Sequence, residues 1–158
     1  MIRLSSFVLA FSLICALGAC SDDPGDSPEQ RDLSQALESW SIDTPDHYQY
    51  VARRSCECLP EVGMPIIVEV QNGAVVSAVY EADLMPVSAE VLGLQYTIDD
   101  LFGVIQDAVD EGAYRIDVTY NGDRGYPETI GIDYEMNIAD EEFYLDVRNF
   151  ELLASVGI

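Results

Sequence analysis

The sequence predicts an α+β fold in which an antiparallel sheet of about six strands carries two helices packed on one face. Two observations lead to this prediction. Six short segments alternate apolar and polar side chains with a period of two, which is typical of strands with one packed and one solvent-facing side. Two longer segments repeat apolar residues at the helical period. Their order along the chain is helix, three strands, helix, three strands.

The first helix is predicted from Pro28 to Trp40. Ser27 is a suitable N-cap, proline is favoured at the first helical position, and Gln30 stands where a capping box requires glutamine or glutamate. The helical period places one apolar stripe on a single face of this segment. Its members are Leu33, Ala36, Leu37 and Trp40.

Three strands follow, and the last two form a hairpin. Asn72-Gly73 between two alternating segments is the strongest short-range hairpin signal. A two-residue turn pairs Val70 with Val75, and a regular ladder then pairs Ile66 with Val79. The packed face of the first two strands is predicted to contain Tyr48, Tyr50, Ala52, Ile66, Val68 and Val70.

The second helix is the most clearly marked element. Thr97 is a good N-cap, acidic residues suit the positive end of the helix dipole, and Gly112 suits the C-terminal end. Its apolar stripe contains Ile98, Leu101, Phe102, Ile105, Ala108 and Val109. Three alternating segments follow, with Tyr114, Ile116, Val118 and Tyr120 in the first, Ile130, Ile132 and Tyr134 in the second, and Phe143, Leu145 and Val147 in the third.

The N-terminus is typical of an export signal. Arg3 provides one positive charge, and the apolar run from Phe7 to Leu17 is shorter than the roughly 20 residues that cross a bilayer. The run ends in Leu17-Gly18-Ala19-Cys20, which resembles the lipobox of bacterial lipoproteins. The predicted division is a signal peptide at residues 1–19, a lipidated Cys20 with a flexible tether at 20–27, and a single α+β domain at 28–158.

This resemblance to lipoproteins implies two or three acyl chains on Cys20, palmitate among them, and two or more chains anchor a protein stably. The domain is then expected in the cell envelope, facing the periplasm. In enteric-type sorting, an Asp directly after the cysteine retains a lipoprotein at the inner membrane. Here Ser21 occupies that place and Asp22 comes one position later, so the outer membrane is favoured.

The chain is strongly acidic, with 29 Asp and Glu against 7 basic residues and a net charge of −22. Such a charge argues against binding nucleic acid and against direct docking on anionic lipid, so the acyl chains are expected to provide the membrane contact. Three interpretations of the acidity stay open: general solubility, life in salty water, and a basic partner.

Several short motifs resemble those of a family of bacterial lipoproteins that is known as a domain of unknown function. They include Arg54-Ser55-Cys56-Glu57-Cys58 and Ala139-Asp140-Glu141-Glu142, and the resemblance extends from Trp40 to Phe150. It implies no known activity, substrate or catalytic residue. In outline the domain is also similar to small periplasmic modules that inhibit secreted enzymes or assist outer-membrane assembly, but similarity of shape does not fix function.

Cys56 and Cys58 are predicted to be the two free thiols of the exported domain. In a regular strand their Cα atoms would lie about 6.6 Å apart, at the long end for a disulfide, and a bend before Pro60 would make the bridge possible. A local structural disulfide and a thiol–disulfide redox role are both open. A zinc site requires more ligands than this pair offers.

The oxygen-rich segment that begins at Asp133 faintly resembles a calcium loop but lacks the obligatory glycine. Its candidate ligands are Asp133, Glu135, Asn137 and Asp140, and a solvated acidic hairpin is the alternative interpretation. The chain has no nucleophile elbow and no glycine-rich phosphate loop, so the sequence favours a protein without enzymatic activity or cofactor.

The sequence therefore predicts a lipid-anchored, non-enzymatic module that binds an envelope protein or peptide. A candidate binding surface is formed by Arg54, Arg115, Tyr126 and Arg148, because arginine and tyrosine are enriched at protein interfaces. One alternative is a thiol–disulfide redox or accessory role for Cys56 and Cys58. A further alternative is a purely structural or osmotic surface protein.

Overall fold

The computed structural model describes residues 27–56, 60–136 and 142–154. The predicted α+β fold is confirmed, with helices beside a six-stranded antiparallel sheet. In chain order the elements are α1 (Pro28–Ser41), β1 (His47–Ser55), β2 (Ile66–Gln71), β3 (Ala74–Tyr80), α2 (Ala89–Leu92), α3 (Ile98–Glu111), β4 (Arg115–Tyr120), β5 (Pro127–Asp133) and β6 (Phe143–Leu152).

The strand order across the sheet is β3-β2-β1-β6-β5-β4. The first and the last strand therefore lie side by side at the centre, and they join two hairpin-connected groups of three strands. β3 and β4 form the two edges. None of the described helices is long and apolar enough to cross a membrane.

The start of α1 differs from the sequence prediction in one detail. Ser27 is the N-cap, and its hydroxyl accepts a hydrogen bond from the backbone N–H of Gln30 at 3.1 Å. The Gln30 side chain, however, does not return to the cap, because its amide oxygen accepts a hydrogen bond from the amide of Gln106 of α3 at 2.9 Å. The predicted capping box is therefore wrong, because the neighbouring helix provides a competing partner.

The predicted ends of α3 are confirmed. The Thr97 hydroxyl and the Asp100 carboxylate satisfy each other's backbone N–H groups in a full capping box, and Gly112 ends the helix at φ 70°. Leu101 is fully buried, as its place in the apolar stripe predicts. In α1, by contrast, Leu37 is 43% exposed, so the packed stripe of that helix is narrower than its sequence suggests.

The hairpin at Asn72 forms as predicted, with Val70 opposite Val75. Ile66, however, lies opposite Tyr80 and not opposite Val79, because the register shifts between Glu69 and Val70. A bulge inserts one extra residue into one strand of a pair, so it displaces every pairing beyond it by one position.

The core lies between the helices and one face of the sheet. Trp40 contacts three other aromatic rings there. Its ring centroid lies 5.8 to 6.4 Å from those of Tyr48, Tyr126 and Phe150 in edge-to-face contacts. Such contacts add to the free energy gained by burying the rings. The strand residues that complete the core include Tyr50, Ile66, Val68, Val70, Ile130, Ile132, Leu145 and Val147.

Candidate functional site

A cavity of about 610 Å³ opens where β1 ends and β6 begins. Five separate segments line it: the end of β1, the loop that follows β1, the end of β3, the region around α2, and the start of β6. The lining residues are Arg54, Ser55, Cys56, Glu61, Val62, Tyr80, Ser88, Glu90, Val91, Leu94, Glu142, Phe143 and Tyr144.

Arg54 is the basic residue of this lining, and two aromatic rings hold it. Its guanidinium carbon lies 5.4 Å from the ring centroid of Tyr96 and 5.1 Å from that of Phe143. The two rings also contact each other edge to face, with centroids 5.9 Å apart. Arg54 is half-buried in this position, so the packing orders its side chain and leaves part of it accessible.

Two buried tyrosines of β1 fix the segment that carries Tyr96. The Tyr50 hydroxyl donates to the Tyr96 carbonyl oxygen at 2.5 Å, and the Tyr48 hydroxyl accepts the backbone N–H of Ile98 at 3.0 Å. Burial raises the pKa of both hydroxyls, that of Tyr48 to about 12, so both keep their protons at neutral pH. The sheet therefore positions the ring against which Arg54 packs.

The short helix α2 forms another wall of the cavity. The Ser88 hydroxyl caps it by accepting the backbone N–H of Val91 at 3.2 Å. Val91 is buried, and Leu94 just beyond the helix is 43% exposed. The capped turn therefore presents apolar side chains to the cavity.

The cavity also carries carboxylates at its rim. Glu61, Glu90 and Glu142 belong to the lining, and all three residues are exposed. With Arg54 as the one basic residue among the described lining, the local charge is negative. This sign agrees with the net charge of the whole chain, which is −22.

Of the two cysteines that the sequence singles out, Cys56 lines the cavity. Cys58 and Glu57 lie outside the described residues, so the bridge across Glu57 stays a prediction. The redox alternative for the same pair likewise stays a prediction.

The other residues of the predicted binding surface do not join Arg54. Tyr126 lies in the core, where its ring stacks on Phe150 at 4.7 Å. The Arg115 guanidinium pairs with Asp117 on β4 at 2.5 Å, and that of Arg148 pairs with Glu81 at 2.5 Å. The structure therefore separates the four residues, and the ring of Tyr126 belongs to the core instead of an exposed surface.

Only two of the four candidate calcium ligands, Asp133 and Glu135, belong to the described residues. Asp133 ends β5, opposite Arg115 in the ladder, and Glu135 is exposed beyond it. Asn137 and Asp140 lie outside the described residues. Within residues 27–56, 60–136 and 142–154, no three His, Cys, Asp or Glu side chains are grouped to hold a metal ion.

The sequence prediction missed α2 and with it the apolar wall of the cavity. A signal was present, because Ser88 is a suitable N-cap directly before Ala89, Glu90 and Val91. The sequence prediction also did not identify Tyr96 and Phe143 as partners of Arg54. A local pattern cannot indicate that residues so far apart in the chain will be in contact.

A polar cluster away from the cavity was also missed. His47 Nε2 lies 2.8 Å from the carboxylate of Glu69, and His47 Nδ1 lies 3.2 Å from the carbonyl oxygen of Ala154. The Ser77 hydroxyl donates to the same carboxylate at 2.8 Å. The hydrogen bond from His47, followed by that from Ser77, holds the pKa of Glu69 below its ordinary value.

The stability of the domain should therefore depend on the ionisation of Glu69. Because folding lowers its pKa, the charged carboxylate stabilises the fold above the pKa that Glu69 has in the unfolded chain. This contribution disappears as pH falls below about 5 and through the lower pKa of the folded state. At neutral pH, Glu69→Gln is expected to lower the free energy of unfolding by up to about 1 kcal/mol, because the side chain is 34% exposed.

Urea unfolding of the wild type and Glu69→Gln across this pH range measures the effect. The difference between the two proteins should shrink as the solution becomes acidic. Glu38→Gln on the exposed side of α1 is the matched control and should follow the wild type at every pH. A constant difference at all pH values would contradict the role assigned to Glu69.

Residues 32–152 match a family described as "Family of unknown function (DUF6174)". This range contains every described residue that lines the cavity. No curated protein and no solved structure matches the chain. The predicted membership of a family of unknown function is thereby confirmed, and the chain belongs to the DUF6174 family.

Proposed function

We propose that this domain is a non-enzymatic binding module of the cell envelope, and that its cavity takes an apolar and positively charged peptide segment of a partner protein. The observation that carries the proposal is the composition of the cavity lining. Apolar side chains form the walls, and three exposed glutamates stand at the rim. A ligand that matches both features has apolar side chains and a basic residue.

The size of the cavity supports a small ligand or a few residues of a peptide. Binding clefts in proteins typically have about 300–1,000 Å³, and they are lined mainly by apolar groups with a few placed polar ones. The cavity of about 610 Å³ falls within this range. A peptide also explains why the cavity is open to solvent, since the rest of the partner must lie outside.

The charge of the domain supports a basic ligand. A surface of one sign attracts the opposite charge and raises the rate of encounter. Glu61, Glu90 and Glu142 continue this field to the rim of the cavity. Of the three interpretations of the acidity, a basic partner is therefore the one that the arrangement of the lining favours.

An apolar loop next to the cavity supports a contact with a protein. Leu84 and Met85 are 63% and 59% exposed, and they lie four and five positions after Tyr80, which lines the cavity. The loop is ordered by the hydrogen bond from the Tyr80 N–H to the Met85 carbonyl oxygen. Exposed apolar side chains that lie close together are typical of interaction sites.

Binding of a defined peptide tests this function. Fluorescence anisotropy with a labelled apolar and basic peptide should show saturable binding that weakens with added salt. Leu94→Ser should weaken binding about fivefold, equivalent to about 1 kcal/mol, because Leu94 loses apolar contact with the ligand. Leu37→Ser is the matched control and should keep the affinity, since Leu37 of α1 is equally exposed at 43% and does not line the cavity.

Two results would contradict the proposal. One is the absence of binding by a peptide of this composition at low salt. The other is an equal loss of affinity in Leu94→Ser and Leu37→Ser, which would mean that the loss does not come from contacts inside the cavity. A labelled peptide of acidic and polar residues provides the ligand control and should not bind.

The proposed location rests on the resemblance of Leu17-Gly18-Ala19-Cys20 to a lipobox. Under this proposal Cys20 carries the acyl chains, and the domain faces the periplasm from the outer membrane. Cys20→Ala is expected to release the protein from the membrane or leave its signal uncleaved. Intact-mass analysis of the native protein checks this, and an unmodified mature N-terminus would contradict it.

A bridge between Cys56 and Cys58 belongs to the same proposal as a local clip at the edge of the cavity. It is supported by the position of Cys56, which directly follows β1 and lines the cavity. A ring closed over one residue constrains the unfolded chain little, so the clip is expected to shape the end of β1 more than to raise global stability.

A further inference from the structure

The side chain of Arg54 is ordered by its packing within the domain. Its guanidinium packs in the angle between the rings of Tyr96 and Phe143, at 5.4 and 5.1 Å from their centroids. Phe143 begins β6, and Tyr96 is tied to the sheet through the Tyr50 hydroxyl. Because the side chain is already ordered, a ligand that binds Arg54 does not have to offset the loss of its rotamer freedom.

The charge of Arg54 is not matched by a carboxylate among the described residues. Arg115, Arg124 and Arg148 each pair with an aspartate or glutamate, and Arg54 does not. Its aromatic partners interact with the cation but accept no bidentate hydrogen bond. The N–H groups along the guanidinium edge are therefore suited to a planar anion such as a carboxylate, which they bind through two parallel hydrogen bonds.

We propose that the cavity reads the free C-terminus of its peptide ligand, with the terminal carboxylate bound by Arg54. The last apolar side chains then pack against Val91 and Leu94, and a basic residue further upstream meets the glutamates of the rim. This inference rests on the proposed function and adds the chemical group that Arg54 recognises.

The charges of the lining distinguish a peptide C-terminus from other carboxylates. A partner rich in Asp and Glu is repelled by the rim glutamates and by the net charge of −22. A fatty acid has a carboxylate and an apolar chain, but it leaves the glutamates without a cation. A peptide that ends in apolar residues and carries a basic residue upstream matches the whole lining. Its carboxylate pairs with Arg54, its apolar side chains contact the apolar walls, and its basic residue pairs with the glutamates of the rim.

Two peptides of one apolar and basic sequence test the inference, one with a free C-terminal carboxylate and the other with a C-terminal amide. The purified wild-type protein is expected to bind the free acid about tenfold more tightly, because charge-assisted bidentate hydrogen bonds are among the stronger polar contacts. In Arg54→Gln this preference should disappear. Arg53→Gln is the matched control, because Arg53 is adjacent, exposed and on the other face of the sheet, and it should keep the preference.

A second variant keeps the charge and removes one of its supports. Phe143→Leu retains an apolar side chain at the start of β6 and is expected to reduce the preference for the free acid without abolishing binding. Thermal unfolding of each variant shows whether the fold is intact. The comparison of the two peptides uses only the wild-type protein. It can therefore contradict the inference even if Arg54→Gln fails to fold.

The outcomes separate this inference from the proposed function. Equal affinity of the wild type for the acid and the amide would overturn the proposed recognition of a C-terminal carboxylate. The proposed peptide-binding function would not be affected. Absence of binding by both peptides would overturn both proposals. Direct binding of decanoate that depends on Arg54, with no binding of either peptide, would overturn the choice of a peptide in favour of a fatty acid.

Discussion

Replacing Trp40 with alanine is expected to lower the free energy of unfolding by about 3–5 kcal/mol. The side chain is 2% exposed, and it meets three other aromatic rings edge to face. These rings come from β1, β6 and the loop before β5. The void left by alanine would therefore weaken the packing of α1 against the centre of the sheet. Domains of this size are typically stable by about 5–15 kcal/mol, so a large share of the stability would disappear.

Trp40→Phe separates the packing of the ring from its hydrogen bond. The indole N–H donates to the Asp99 carboxylate at 3.0 Å, and phenylalanine removes this bond while filling much of the same volume. Its expected cost is about 1–2 kcal/mol, the sum of one hydrogen bond and the lost ring area. Urea unfolding followed by circular dichroism measures both variants. Equal losses in Trp40→Ala and Trp40→Phe would contradict the dominant role of packing.

Gly125→Ala is expected to cost about 3 kcal/mol or more, although it adds a single methyl group. An added Cβ would lie 2.2 Å from the backbone carbonyl oxygen of Ala36 and 2.9 Å from the Cβ of Ser39. The residue also has φ +81°, which alanine adopts only with strain. The obstacle is the backbone of α1, which cannot rotate away, so the helix must shift or the loop must distort.

Two other glycines separate the contributions of strain and contact. Gly73 has φ +72° with nothing within 4 Å of an added Cβ, so Gly73→Ala measures the strain alone, about 1–2 kcal/mol. Gly122 also has nothing within 4 Å, and no positive φ in the strained range, so Gly122→Ala should stay near the wild type. The expected order of losses is Gly125, Gly73, Gly122.

Trp40 is the one tryptophan of the chain, and it lies on α1 beside this loop, so its fluorescence reports a displaced helix. Gly125→Ala should change the emission of the folded protein, whereas Gly73→Ala should not. If Gly125→Ala and Gly73→Ala destabilise equally, the close approach of the loop to α1 is not a constraint on the fold.

The features that the sequence alone determined are local. Thr97 and Gly112 mark the ends of α3 because an N-cap and a left-handed C-terminal residue act on backbone groups a few positions away. The alternation along β1 placed Tyr48 and Tyr50 on the packed face for the same reason, since it depends only on the pleat of one strand. These elements, together with their order, were sufficient to predict an α+β domain with one covered sheet face.

The features that only the tertiary structure decided depend on segments far apart in the chain. The pairing of β1 with β6, and the partner that Gln106 offers to Gln30, follow from how the elements pack. The same holds for Arg54, which the sequence singled out but assigned to one surface with Tyr126. Its true neighbours, Tyr96 and Phe143, lie 42 and 89 positions further along the chain (96 − 54 and 143 − 54). Local pattern fixes the face on which a side chain lies, whereas the packing of the whole domain fixes what it meets there.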